Sequence, residues 1–258
     1  MYVMDIDGSN LRCITESLDQ TPSTGVWGKN SSGVYFNVRE FGQSNVYHAD
    51  IKGKVKKITS GNHMLTMNDL VGSDAVATWT DPSNPSDIIS FSIDKPNKIN
   101  RLTDVNKDIF YNVEFGKVEE ITYKSVDEKY VQGWIVKPPN FDSNKKYPLV
   151  LRIHGGPHSM YHVGFNYNFQ LHAAQDQVVL YTNPRGSTGY GYDFANAIQN
   201  AYPGNDYDDI MYGVDEVISK GYIDENRMYV YGGSGGGVLT SWIAVSYTHL
   251  TLPTRRFV

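Results

Sequence analysis

The sequence predicts two parts: an N-terminal array of β-repeats of the propeller-blade type, then an α/β domain on a mostly parallel sheet with helices on both faces. Three observations predict this. A motif recurs at a constant interval in the first part, strand and helix patterns alternate in the second, and a glycine-rich serine turn joins a strand to a helix near the end. Composition sets the outer bounds. The 258 residues are 40% apolar and 20% charged, which excludes a disordered or collagen-like chain. A net charge of −5 with no long basic run argues against nucleic-acid partners. The single cysteine, Cys13, excludes an internal disulfide and any Cys-rich zinc site. No apolar run approaches the roughly 18 residues that would span a bilayer.

The first segment, Met1-Tyr-Val-Met-Asp-Ile-Asp-Gly8, has neither the basic nor the apolar region of a signal peptide. It reads as a strand entering a turn, so the chain is expected to continue a longer polypeptide. Compartment is left open. The repeat comes next. YVMDIDGSNLRCIT (2–15), YHADIKGKVKKIT (47–59) and FSIDKPNKINRLT (91–103) each run from an aromatic-led strand through an Asp-containing turn to Ile-Thr or Leu-Thr. The closing residues Thr15, Thr59 and Thr103 are 44 residues apart, within the span of one four-stranded blade. Gly33–Val38 and Ala75–Trp79 supply β-rich pieces between the copies. A generic β-meander is the competing reading; the agreement of period and turn position in three copies favours blades. Residues 1–115 hold about two and a half of them, fewer than the roughly four to eight that close a ring, so this part reads as the C-terminal blades of a partial β-propeller.

From Gly116 the pattern changes. Val118–Val126 and Tyr130–Lys137 predict a hairpin around Asp127-Glu-Lys129, and Pro138-Pro139 opens a polar loop. Tyr147–Ile153, Gln177–Thr182 and Met228–Gly232 are apolar strand candidates separated by helical segments, the alternation of a largely parallel sheet. The clearest helix covers Asp206–Lys220. Ile210, Val214, Val217 and Ile218 share a face, Asp206 and Asp208 sit in the first turn, and Gly221 provides a stop.

Chemistry concentrates at Gly232-Gly-Ser-Gly-Gly236, a Gly-x-Ser-x-Gly between a strand candidate and a helix-compatible run. That is the context of the nucleophile elbow of α/β-hydrolases. The serine occupies a strained turn whose neighbours lack side chains so that strand and helix can close up, and Oγ is pushed out above the sheet. Ser234 is the candidate nucleophile, and the N–H of Gly235 can face a developing oxyanion. Other readings of the cluster fit less well. A P-loop needs a lysine that does not follow here, and a dinucleotide fingerprint from Gly233 needs Gly or Ala where Val238 stands. A flexible linker would not be wedged between strand and apolar helix.

His154-Gly-Gly-Pro157 ends another strand, in the position of a loop that supplies a second oxyanion donor; Gly156 is the candidate. One such donor contributes about 2.7–4 kcal/mol to the transition state. His154, His158 and His162 are spaced by four, but Gly155-Gly156-Pro157 precludes the helix that would align them for a metal. His154 is read as a tether for its own loop. Arg185, in the loop Asn183-Pro-Arg-Gly-Ser-Thr-Gly-Tyr-Gly191, is a candidate substrate contact, with an internal ion pair as the alternative. No cofactor or metal is called for.

These segments occur in order: His-Gly-Gly-Pro (154–157), Asn-Pro-Arg-Gly-Ser (183–187), Tyr-Gly (190–191), Gly-Asn-Asp-Tyr (204–207), Gly-Val-Asp (213–215) and Gly-Gly-Ser-Gly-Gly (232–236). Together they resemble the prolyl oligopeptidase family of serine peptidases, especially its acylaminoacyl-peptidase and dipeptidyl-peptidase-like branch. The resemblance covers Gly116–Ala244 closely and the repeats more loosely. It implies a β-propeller joined to an α/β-hydrolase domain, peptide bonds of short peptides as substrate, Ser234 as nucleophile, and Gly235 and Gly156 as oxyanion donors.

A serine needs a base, and the base an orienting group. In this fold the order is Ser, then Asp or Glu, then His. The 24 residues after Ser234 contain no Asp or Glu, and His249 is too near to be the distant base. Residues 116–245 therefore read as the N-terminal part of an incomplete α/β-hydrolase domain, truncated like the propeller, and the chain itself is expected to be inactive. Residues 246–258, with β-branched threonines and Pro253, read as a non-native tail resembling translated adapter sequence. Strand 228–232 is then expected to show an open edge. Two other functions stay open: an esterase or lipase of the same fold, and a propeller-based binding module with a degenerate hydrolase domain.

Overall fold

The computed structural model describes residues 1–246 and the backbone of 250–251. The chain divides into two compact units, Met1–Asn112 with His162–Phe165, and Val113–Tyr161 with Asn166–Val258.

The first unit is β-rich. Strands β1 (Tyr2–Val3) and β2 (Arg12–Cys13) pair antiparallel. A meander follows from β3 (Val26–Trp27), β4 (Gly33–Glu40), β5 (Gln43–Asp50) and β6 (Val55–Lys57). A second is formed by β7 (Met64–Val71), β8 (Asp74–Thr80), β9 (Asp87–Ser92) and β10 (Lys95–Arg101). One parallel bridge, Ser44 to Met64, joins the two meanders. A short helix α1 (Lys107–Phe110) ends this region. None of the sheets closes on itself among the described residues, so the structure displays open antiparallel meanders and no ring.

The repeated threonine has a physical cause. The hydroxyl oxygens of Thr59 and Thr103 accept the N–H groups of Val46 and Ile88 at 2.9 Å each, and Thr15 accepts the N-terminal amine of Met1 at 2.6 Å. The carbonyls of Met1, Val46 and Ile88 in turn accept the N–H of Ile14, Ile58 and Leu102, the residue before each threonine. The threonine thus closes each motif onto an earlier strand, which fixes its place in the repeat. The β3–β6 meander is buried on both faces: Val34, Phe36 and Val38 join one apolar cluster, while Tyr35 and Val46 join another with Leu65, Ala77 and Phe91. Two-sided burial explains the apolar run Val34–Phe36.

The second unit is built on a six-stranded mixed sheet in the order β11-β12-β14-β13-β15-β16. Its elements in chain order are β11 (Val118–Lys124), β12 (Tyr130–Val136), β13 (Tyr147–Ile153), α2 (Tyr167–Ala173), β14 (Val178–Asn183), α3 (Tyr192–Asn196), α4 (Asn205–Ser219), β15 (Ile223–Gly232), α5 (Gly235–Ser246) and β16 (Leu250–Thr251). Strands β14, β13, β15 and β16 are parallel; β12 pairs antiparallel with both β11 and β14. The first pairing has a local cause: β11 and β12 are joined by a short turn, and only antiparallel strands can be. On one face, Leu149, Leu151 and Ile153 of β13 and Val230 of β15 pack with Ile210, Val214 and Val217 of α4 and Leu239 and Ile243 of α5. The other face carries Tyr181, with Phe169 of α2 at 4.5 Å between ring centroids and Trp134 at 5.3 Å.

Strand β15 begins five residues earlier than its apolar part, because Ile223 pairs with Tyr147 and the polar residues 224–227 form an irregularity before Met228 meets Leu149. Its outer edge is not wholly open: Met228 and Tyr229 pair with Leu250 and Thr251. Helix α5 continues to Ser246, beyond the expected end of family-like sequence at Ala244. Apart from Ser246, Leu250 and Thr251, the tail read as non-native lies outside the described residues, as does His249.

Candidate active site

The site lies at the C-terminal ends of β13, β14 and β15. Strand β15 ends at Gly232 and α5 begins at Gly235, so Gly233 and Ser234 alone make the turn. Ser234 is exposed and has φ +55°, a left-handed conformation costing an L-residue roughly 1–2 kcal/mol. Among the described residues, no side chain hydrogen-bonds its hydroxyl. Its carbonyl accepts Gly237 N–H at 2.8 Å and Val238 N–H at 3.2 Å, which starts the helix.

The glycines divide by what surrounds them. A Cβ on Gly236 would stand 2.5 Å from the Ile153 oxygen and 2.7 Å from the His154 oxygen; one on Gly232 would stand 2.6 Å from the Gly236 oxygen. These positions admit no side chain because the start of α5 rests on the end of β13. A Cβ on Gly233 would meet nothing within 4 Å. The sequence-based expectation that all the serine's neighbours must lack side chains therefore fails at 233, which faces open space.

The His-Gly-Gly loop abuts the turn. A Cβ on Gly155 would come 3.3 Å from Ser234 Cβ, and one on Gly235 would come 3.0 Å from the Gly156 carbonyl carbon and oxygen. Gly156 has φ +125°, a conformation that glycine alone adopts without strain. The structure thus brings Ser234, Gly235 and Gly156 together. Gly235 opens α5, so its N–H has no intrahelical acceptor.

The loop after β13 is held by the loop after β14. His158 Nδ1 meets the Gly186 carbonyl at 3.1 Å, Thr188 N–H donates to the Ser159 oxygen at 2.8 Å, and Asn183 Oδ1 accepts Tyr161 N–H at 2.7 Å. His154 contacts the Gly155 oxygen through Nδ1 at 2.8 Å and the Ser187 hydroxyl through Nε2 at 3.0 Å. Burial pushes its pKa down, against the pull of the Gly155 carbonyl. With both ring nitrogens engaged, it tethers its loop. Among the described residues, no cluster of three or more His, Cys, Asp or Glu could hold a metal, and no helix is long and apolar enough to cross a membrane.

Arg185 is turned inward. Its Nε donates to Asp209 Oδ2 at 2.9 Å, Nη2 to Asp209 Oδ1 at 2.7 Å and to the Val126 oxygen at 3.0 Å, and Nη1 to Asp127 Oδ2 at 3.0 Å. The Asp209 side chain is fully buried. This is the internal ion pair that the sequence left as the alternative to substrate contact, and it anchors the loop after β14 to α4. Sequence reasoning did not single out Tyr202, whose hydroxyl donates to the Gly235 oxygen at 2.5 Å. No periodicity or motif marks it; only the folding of the loop before α4 brings it there.

Comparison with known proteins agrees with the resemblance. Residues 163–250 match the model of the prolyl oligopeptidase family. The chain is 36% identical over 262 residues to the uncharacterized peptidase YuxL of Bacillus subtilis, covering 94% of this chain and 39% of that protein. It is 28% identical over 247 residues to dipeptidyl-peptidase 5 of Porphyromonas gingivalis, covering 95% of this chain and 36% of that protein. The solved structure of an acylaminoacyl peptidase in complex with Z-Gly-Gly-Phe-chloromethyl ketone superposes with a TM-score of 0.84 at 27% identity, over 94% of this chain and 38% of its own. The chain thus spans about two fifths of the length of the relatives it matches. It belongs to the prolyl oligopeptidase family.

Proposed function

We propose that the protein acts as a serine-type peptidase on short peptides. Ser234 Oγ attacks the scissile carbonyl, the amine product leaves, and water hydrolyses the resulting acyl-enzyme to free Ser234 and release the acid. The N–H groups of Gly235 and Gly156 receive the negative oxygen in both steps. One observation carries the reading: an exposed serine held at φ +55° between strand and helix, against the end of the His-Gly-Gly strand. The proton of Ser234 passes to a histidine that, with its acidic partner, lies outside this chain, and from that histidine to the leaving amine. Two features support this. The relatives are far longer, and the nearby His154 already uses both ring nitrogens. The residue assignment of the catalytic domain is then 116–245, and the first-unit meanders of residues 1–115 are propeller blades that limit access to short peptides. The relatives' names and the bound chloromethyl ketone support a peptide substrate.

The test is hydrolysis of short N-acylated and free-amine peptides by the full-length polypeptide. Ser234→Ala should lower turnover at least about ten-thousand-fold. The 258-residue chain alone should show little or none. Steady hydrolysis of simple esters with no peptide cleavage would overturn the proposal.

A further inference from the structure

Three successive glycines, 235–237, begin α5. Each carries the backbone freedom that makes glycine about 1 kcal/mol less favourable than alanine inside a helix. The proposed oxyanion donor therefore sits on an intrinsically loose turn, yet electrostatic stabilisation depends on a donor fixed before the reaction. Something must restrain it. Within the helix, Thr240 Oγ1 donates back to the Gly236 oxygen at 2.7 Å. From outside the helix, Tyr202 Oη donates to the Gly235 oxygen at 2.5 Å.

Tyr202 is well placed for this. It lies in the loop before α4, packs against the main apolar core of the unit, and lines a small crevice with His154, Pro157, Arg185, Asp206 and Leu239. A Cβ on Gly235 would come 3.1 Å from its hydroxyl, so the phenol also occupies the space beside the donor residue. Burial, and after it the Asp206 carboxylate, raise the phenol's pKa and keep it a donor.

The geometry points to Tyr202 as a positioning residue: its hydroxyl holds Gly235 so that the Gly235 N–H stays aimed at the oxyanion. This rests on the proposed roles of Ser234 and Gly235. It adds a specific requirement for one hydroxyl that is hydrogen-bonded to the Gly235 carbonyl rather than to Ser234.

The test is Tyr202→Phe, which keeps the ring and its packing. In the full-length polypeptide, kcat should fall about tenfold, the worth of one good hydrogen bond, with KM within about twofold. Affinity for a peptide boronate, which mimics the tetrahedral intermediate, should fall by the same factor. In the 258-residue chain, amide exchange at residues 235–238 should accelerate about tenfold relative to β13. Unchanged kcat and boronate affinity, or a rise in KM alone, would overturn the proposal; so would unchanged exchange at residues 235–238. Ser234→Ala serves as the control. If it retains turnover, the nucleophile assignment has failed. If it is inactive while Tyr202→Phe is fully active, only the role of Tyr202 has failed.

Discussion

Two neighbouring glycines in α5 should respond in opposite directions to the same substitution. Gly236→Ala puts a methyl 2.5 Å from the Ile153 oxygen and 2.7 Å from the His154 oxygen. Both are main-chain atoms, and Ile153 is paired in register with Gly232 and belongs to the apolar core, so neither can move alone. Overpacking of this kind costs typically 1–3 kcal/mol. The gain in helix propensity returns at most about 1 kcal/mol, leaving a net loss of up to about 2 kcal/mol. At Gly237 the nearest atom to an added methyl, the Gly232 oxygen, is 3.5 Å away, an ordinary contact. There the propensity gain of about 0.8–1 kcal/mol stands unopposed. The two variants should therefore differ by about 1–3 kcal/mol, or roughly 0.5–1 M in urea midpoint for an m-value of about 2–3 kcal/mol/M. Urea unfolding followed by circular dichroism, with fluorescence of the buried Trp134 reporting the second unit, would measure it. If both variants were stabilised alike, α5 would not be seated on the end of β13, and the elbow geometry would be wrong.

Other perturbations have equally definite outcomes. Ser234→Gly removes the left-handed strain and should stabilise the second unit by about 1 kcal/mol in the same urea assay while abolishing turnover of the full-length polypeptide. Asp209→Ala leaves the Arg185 guanidinium buried without its main partner and should cost about 3–5 kcal/mol; a loss under 1 kcal/mol would show that the pair does not anchor the loop. Burial raises the Asp206 carboxyl above its ordinary value of 3.8, against the Gly204, Asp206 and Tyr207 amides. The folded state then binds more protons than the unfolded one between 3.8 and the elevated value. This residue's contribution should make stability fall as pH rises through that window, and Asp206→Asn should flatten the slope in urea titrations.

Much of the second unit was legible because burial leaves a pattern. Tyr147–Ile153 forms a strand over those same residues, and the helix read as 206–220 spans 205–219. The start of β15 was not legible, since polar residues 224–227 interrupt its apolar signal. The threonine period was visible, but its cause was not: hydrogen bonds from Val46 and Ile88 reach across 13 and 15 residues. At the site, the crowded glycines and the serine were marked by sequence. The side chains that hold them were not. Ser187 for His154, Asp209 for Arg185 and Tyr202 for Gly235 lie 24 to 33 residues from their partners, and only the folded loops join them.

The proposed peptidase chemistry stands on Ser234 as its nucleophile. Fluorophosphonate labelling of the full-length polypeptide, mapped by peptide mass spectrometry, tests it most directly. A nucleophilic Ser234 is modified rapidly there, and slowly or not at all in the 258-residue chain. Label on another residue of the active polypeptide, with Ser234 untouched, would contradict it.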